Sequence, residues 1–430
     1  MPNMKKPRIV VSAAVGVVAF LATALWPRAG DPSYPDPEVA MVNAPTADSI
    51  ALFHARATAN PNALDLTILA QLQARYGRET GDVAAFEQAE SALTDAIALQ
   101  PNYSVAVASL SSVYLAQHRF HEALVTARRA HELNPRSGGL VLAGDVLVAT
   151  GDYEGAAGAY SEAAQQSASP GLAARLAHLD ELHGRPETAI VEMERAATAH
   201  LHAGGSGEEA AWYQVRLGEL NFTVGDLHEA QRRYQAAVAL FPDYYAGLAG
   251  LGRVAAARAD FETAIDLYTK ATSVIPRPDS LAALGDLHRV TGNSERADDA
   301  YATVEAIAQL AGGVYNRNLA LFFIDHGRAA DGLALAEEGL ETRRDIYGYD
   351  TKAWALYRLG RYEEARSAID QALVLGTRDS LLLYHSGAIS AALGENDRAA
   401  AELGTALDLN ENFHPIFANE ARRLLTEVTW

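Results

Sequence analysis

The sequence contains no cysteine, which excludes disulfides, thiolate nucleophiles, zinc-thiolate sites and lipid attachment through an N-terminal cysteine. Lysine almost disappears after the sixth residue, with only Lys270 and Lys352 beyond it. Proline is also sparse, 16 in 430 residues, and five of these (Pro27, Pro32, Pro35, Pro37 and Pro45) sit in one short stretch, so the rest of the chain is free to be helical. Positive charge is in deficit: residues 9–430 carry 32 basic against 54 acidic side chains. A field of that sign repels phosphate backbones and anionic lipid headgroups, so no nucleic-acid partner is expected. There is no G-x-S-x-G nucleophile elbow and no phosphate-binding loop.

Basic residues are nevertheless placed where they carry meaning. Lys5, Lys6 and Arg8 precede Ile9 to Trp26, a segment without a charged side chain. Eighteen residues span about 27 Å as a helix, close to the thickness of a hydrocarbon core. Residues 1–26 therefore read as a signal anchor forming one N-terminal transmembrane helix, with the basic flank in the cytoplasm and the rest of the chain on the extracytoplasmic side. The other reading is secretion after cleavage behind Ala22, Thr23 and Ala24, whose small-x-small form suits a signal peptidase. Residues 27–46 form a proline-rich linker, extended enough to act as a spacer of about 60 Å.

Beyond the linker the chain repeats itself. Leu217, Gly218, Asp226, Leu227, Ala230, Tyr234, Ala237 and Pro242 are answered 34 positions later by Leu251, Gly252, Asp260, Phe261, Ala264, Tyr268, Ala271 and Pro276. Small residues recur through the chain at Ala89, Ala123, Ala156, Ala189, Ala230, Ala264, Ala297, Gly332, Ala365 and Ala399, spaced by 33 to 35 except for one gap of 41. A small residue at a fixed place in a helical hairpin lets two antiparallel helices approach closely, and enlarging it overpacks the contact. Glycines at 151, 225, 292, 327 and 360 stand where each first helix has to end, and an acidic residue often follows to open the second.

This pattern resembles the tetratricopeptide repeat, a helix-turn-helix unit of 34 residues. The resemblance implies an all-α fold: a right-handed superhelical solenoid of about ten hairpins sharing one continuous core. Residues 47–61 read as an N-terminal capping helix, 62–199 as a block of four repeats, and 208–411 as a block of six. Residues 412–430 read as a C-terminal capping helix that buries Ile416, Phe417, Leu424 and Leu425. Glycines 204, 205 and 207 explain the gap of 41 and mark residues 200–207 as a hinge loop. In the first repeat, residues 77–82 read as an insertion in the turn.

Chemistry is hard to find. His118 with His121, and His200 with His202, lack a third ligand nearby, so no metal site is expected, and nothing points to a cofactor. His121 and His228 each begin a zinc-protease-like string but lack the second histidine. What remains is surface. The resemblance implies that first helices line a concave groove, and register places Trp212, Arg216, Glu219, Arg253, Arg317, Asn318, Trp354, Tyr357, Arg358 and Tyr384 on it. Aromatic residues and arginine are the chemistry of binding hot spots. The expected role is a non-catalytic scaffold that holds a protein or peptide partner in its groove, within a cell-envelope assembly. The alternative is a regulatory or substrate-recruiting subunit of an envelope enzyme or secretion system. Nothing in the sequence specifies the oligomeric state.

Overall fold

The computed structural model describes residues 46–310 and 317–430. The expected anchor and all but the last residue of the expected linker lie outside these. Among the described residues there are twenty-two helices and no strand, and no helix is long and apolar enough to cross a membrane.

Twenty of the helices form ten consecutive hairpins. The first five are Ala63–Thr80 with Ala84–Leu99, Ser104–Ala116 with Phe120–Leu133, Gly139–Thr150 with Tyr153–Gln166, Pro170–Leu182 with Pro186–His202, and Gly207–Thr223 with Leu227–Leu240. The last five are Tyr245–Ala257 with Phe261–Val274, Pro278–Val290 with Ser294–Leu310, Arg317–Asp325 with Ala329–Thr342, Ile346–Arg358 with Tyr362–Ala372, and Ser380–Ala392 with Asn396–Leu409.

Repeat chemistry explains each hairpin. All nine of the periodic alanines are fully buried. A side chain added at Gly332, the tenth position, would run into Ile324 and the Ala320 carbonyl oxygen. The Leu-Gly step of the repeat serves the tyrosine of the following helix: a Cβ on Gly218 would meet the Tyr234 ring at 2.6 Å, and one on Gly252 the Tyr268 ring at 2.9 Å. The second helices of the third, fifth and sixth hairpins open on side-chain caps, Asp152 accepting from the Gly155 amide, Asp226 from Glu229 and Asp260 from Thr263.

The two irregular repeats are absorbed as helix. The helices Pro186–His202 and Gly207–Thr223 each run to 17 residues, leaving four residues, 203–206, where a longer hinge loop was expected. One apolar cluster passes straight across that junction, from Ala174 and Met193 to Trp212 and Leu217. In the first hairpin the extra residues lengthen its first helix to 18 residues, and Gly77 is a helical residue packed against Phe86.

Single helices cover both ends. Thr46–Ala59 lays Phe53 onto the first hairpin, and Phe417–Thr429 lays Phe417, Ala418 and Ala421 onto the tenth. Leu424 and Leu425 pack at the margin of that last cluster, whereas Ile416 lies before the helix and is exposed, contrary to its expected burial.

A 34-residue period does not specify how far the solenoid coils, and here it coils back onto itself. Turns of the early hairpins touch the loops that join hairpins five positions further on. In the first hairpin, a Cβ on Gly81 would lie 3.0 Å from Ile275 Cγ2, in the loop after the sixth. The turn of the third hairpin meets the loop after the eighth: the Arg344 amide donates to the Thr150 carbonyl at 3.3 Å, Arg343 Nε to the Ala149 carbonyl at 3.2 Å, and the Ile346 amide to the Tyr153 hydroxyl at 3.0 Å. In the fourth, Thr377 Oγ1 donates to the Leu182 carbonyl and Arg378 Nη1 pairs with Glu187 at 2.9 Å. In the fifth, Asn410 Nδ2 donates to the Phe222 carbonyl at 2.6 Å.

Candidate functional site

Coiling gathers residues from distant repeats into one cavity of about 360 Å³. The first helices of hairpins five to eight supply most of its wall, with Trp212, Glu219, Ala246, Arg253, Arg317 and Asn318 among the lining residues. Five of the ten sequence-derived groove candidates therefore share this cavity. The lining also includes Arg78, from the first hairpin, and Arg277 and Asp279, at the start of the first helix of the seventh.

Most charges in the cavity are already engaged. Arg277 forms a two-pronged pair with Asp279, Nε to Oδ1 at 3.1 Å and Nη2 to Oδ2 at 3.0 Å. Arg78 faces Glu208 at 3.6 Å. Glu208 also lies 3.4 Å from the donating Tyr244 hydroxyl. Burial, reinforced by the Glu208 charge, pushes the neighbouring Glu209 carboxyl up to about 7, against the pull of Arg78, Arg175 and Arg75. Arg253 is engaged differently. Its guanidinium lies over the Phe222 ring at 4.2 Å and donates through Nη2 to the Tyr234 hydroxyl at 2.7 Å, with no carboxylate bonded to it. Among the described residues Arg253 Nε has no acceptor within reach. A cation oriented by a ring and a neutral hydroxyl keeps hydrogen-bonding capacity for a ligand.

The other candidates have structural surroundings. Trp212 borders the cavity yet is 9% exposed, its indole edge-on to Tyr213 at 5.0 Å. Arg216, 7% exposed, lies between Glu181 at 2.6 Å and Glu219. Burial opposes the charge on Glu181, but Arg216 and His178 hold its carboxyl down to about 2. Arg317 faces Asp350 at 3.4 Å and stacks on Tyr347 at 5.0 Å.

Trp354, Tyr357 and Tyr384 form an aromatic stack rather than a contact surface. Trp354 is 1% exposed and Tyr384 is fully buried. The indole lies parallel to Tyr357 at 4.9 Å and to His385 at 4.2 Å, and its Nε1 donates to Asp325 Oδ1 at 2.8 Å. Register puts these residues on the groove, where they could either meet a partner or pack between successive first helices; Trp354 and Tyr384 are buried by that packing. Arg358 stays on the rim, 3.9 Å from Asp325, lining a separate cavity of about 240 Å³.

Sequence reasoning missed Arg78, Tyr244, Tyr245 and Arg277. No repeat-based register finds Arg78, which reaches the cavity only because the first hairpin lies against the fifth after a turn of the coil. Tyr244, Tyr245 and Arg277 sit at or just before first-helix starts, outside the positions taken to line a groove. Among the described residues no cluster of histidine and carboxylate side chains is arranged to hold a metal ion.

Comparison with known proteins supports the architecture. A tetratricopeptide repeat family model matches residues 109–173, 215–281 and 351–412. No curated protein matches the chain. Among solved structures, the human IFIT1 dimer with PPP-AAAA is similar over 73% of each chain at 14% identity and a TM-score of 0.51, which speaks to fold alone. A tetratricopeptide repeat protein from Parabacteroides merdae aligns over 60% of this chain and 98% of its own, at 17% identity and a TM-score of 0.35. Yeast Tom70 aligns over 89% and 92%, at 12% identity and a TM-score of 0.36. With three regions matched by the family model and ten helical hairpins that each keep a small residue at the same place in the second helix, this chain is a helical-hairpin repeat protein similar to the tetratricopeptide repeat family.

Proposed function

We propose that the chain is a non-catalytic scaffold that takes an extended segment of a protein partner in the cavity on its concave side. The observation that carries this reading is Arg253, a cation held in place by Phe222 and Tyr234, with Nε unbonded, beside Glu219, Asn318 and a wall of tyrosines. Stacked repeats present such a surface ready-made, so little scaffold entropy is lost on binding. A photo-cross-linking residue at position 246, which lines the cavity, should capture one discrete protein in living cells. Arg253→Ala should abolish the adduct, and a cross-linker at the exposed position 262 of a second helix should not give it. The same adducts from both positions would overturn the reading.

The proposal extends to location. Residues 1–26 tether the scaffold to a membrane and the repeats work outside the cytoplasm in a cell-envelope assembly, a reading supported by the basic flank and the uncharged run of residues 9–26. Full-length protein should stay with membranes through an alkaline wash. Release of the intact chain into the supernatant would contradict the tether.

A further inference from the structure

The contacts between successive coils are periodic, and that periodicity has a functional meaning. Leu182 and Thr377 are 195 residues apart, Tyr153 and Ile346 are 193 apart, and Phe222 and Asn410 are 188 apart. Each contact joins the turn of one hairpin to the loop beyond the hairpin five places on. One edge of the ribbon of repeats thus lies along its own opposite edge.

Glycines record how close that approach is. Gly81, Gly151, Gly184 and Gly225 all have positive φ, and a Cβ on any of them would press against the later coil: Ile275, the Arg344 carbonyl oxygen, the Gly376 carbonyl oxygen and, at 2.8 Å, the Leu409 carbonyl oxygen. Gly292, Gly327, Gly360 and Gly394 occupy the same place in later hairpins, also with positive φ, and among the described residues a Cβ there would meet nothing within 4 Å. The early turns are covered and the later turns form a free edge.

The space inside the coil is narrow as well. The Arg216 charge, from the fifth hairpin, acts on the neutral Tyr347 hydroxyl of the ninth, pulling its pKa down against the larger rise that burial causes. The cavity, about 360 Å³, lies toward the lower end of the range of roughly 300–1,000 Å³ for small-ligand sites.

We propose that the edge-to-edge seam closes the concave face into a bore, so that the cavity admits a single extended polypeptide strand entering by its free end. A folded domain, or a loop fixed at both ends, is excluded. The inference rests on the partner-binding reading of the cavity, and its test requires no natural partner.

The chain has no cysteine, so Ala246→Cys introduces one reactive thiol, at a partly exposed position in the cavity wall. Three maleimides probe it in the full chain: N-ethylmaleimide, a flexible peptide with maleimide at its terminus, and maleimide on the surface of a small folded protein. The first two should react at similar rates. The folded carrier should be slower by about 100-fold, the factor expected if only a minor open population of about 1% accepts it.

Gly151→Ala combined with Gly184→Ala wedges the seam and should raise the carrier's rate about tenfold or more, by shifting the population of the open form. Gly327→Ala combined with Gly360→Ala carries the same backbone strain at the free edge and should leave that rate unchanged. Circular dichroism of every variant controls for folding. If the carrier reacts as fast as the peptide in the parent, or the peptide fails to react where N-ethylmaleimide does, the bore is wrong. Failure of all three reagents would also overturn it, because the cavity would then not be entered from the ends. If the wedge variant unfolds, parent rates alone decide the matter. Failure of all three reagents would speak against the partner-binding reading as well; every other outcome leaves that reading to the cross-linking test alone.

Discussion

Hairpins one to five and hairpins six to ten are built from the same repeat but end in different surroundings. Early turns lie beneath the loops of a later coil, whereas late turns face open space. A buried cluster makes the same point. In the third and fourth hairpins Tyr160 donates to Asp145 at 2.7 Å, and Arg175 grips the same carboxylate with Nε at 2.6 Å and Nη2 at 2.7 Å. In the seventh and eighth, Tyr301 donates to Asp286 at 2.6 Å, again 15 residues apart, but the third member is His326 at 3.0 Å. Asp145 is fully buried while the Asp286 side chain is 22% exposed. Repetition therefore fixes a hairpin's internal packing, and position along the coil decides what each hairpin is asked to cover.

The largest expected effect breaks this comparison at the buried carboxylate. Arg175→Ala leaves the fully buried Asp145 without its counter-charge and should cost about 3–5 kcal/mol by urea denaturation at pH 8.5. Its counterpart His326→Ala, whose carboxylate keeps some solvent, should cost about 1 kcal/mol. Equal losses would contradict the contrast between the halves.

Next in size are the turn glycines. Gly184→Ala and Gly360→Ala both place a side chain at positive φ, which costs about 1 kcal/mol. Only Gly184→Ala also drives a Cβ into the later coil, adding about 1–3 kcal/mol of overpacking. Similar melting temperatures for the two variants would mean that the covered turn is not covered in solution. Thr377→Val tests the same seam from its other side. It leaves the buried Leu182 carbonyl without its donor and should cost about 1–2 kcal/mol.

The smallest effect is pH-dependent. His326 Nδ1 faces the Phe322 carbonyl at 2.7 Å and Nε2 faces Asp286 at 3.0 Å, so both ring nitrogens must carry protons to satisfy both acceptors. Burial works against the charged ring, but the hydrogen bond and charge of Asp286 outweigh it and raise the pKa. A raised histidine pKa stabilises the fold fully below the unfolded value of about 6.5, and that contribution is lost as pH climbs through the folded value. His326→Gln should thus cost about 0.5–1 kcal/mol more at pH 6 than at pH 8.5. The cost of Arg175→Ala should run the other way, smaller at pH 6 than at pH 8.5: burial already lifts the Asp145 carboxyl to about 6 against the pull of Arg175, and without the guanidinium it rises further and can take up a proton at the lower pH.

These contrasts show what a sequence displays and what it hides. The spacing of Ala89 through Ala399 made the hairpins legible, since each small residue answers to the helix beside it. Gly218 and Gly252 were legible as packing residues for the same local reason. Part of the candidate site was legible too: Glu219, Arg253, Arg317 and Asn318 project from first helices, where register alone locates them. For Trp354 and Tyr384 register alone left two roles open, and the structure shows packing, because a position facing the inside of a narrow coil is packed by neighbouring first helices before any partner meets it. Arg78 and the whole seam stayed hidden, because the pitch of a superhelix accumulates from small rotations per hairpin that no single repeat encodes.

The seam is the claim on which the rest depends, and one distance tests it directly. Glu187 and Arg378 are exposed, 191 residues apart and ion-paired at 2.9 Å across the seam, a contact that contributes little stability by itself. Spin labels on Glu187→Cys and Arg378→Cys, the only thiols in the chain, report their separation by pulsed electron resonance. A closed coil predicts a narrow distribution at the short end of the measurable range. A long, broad distribution would mean that the ribbon's two edges do not meet, and that the groove is open.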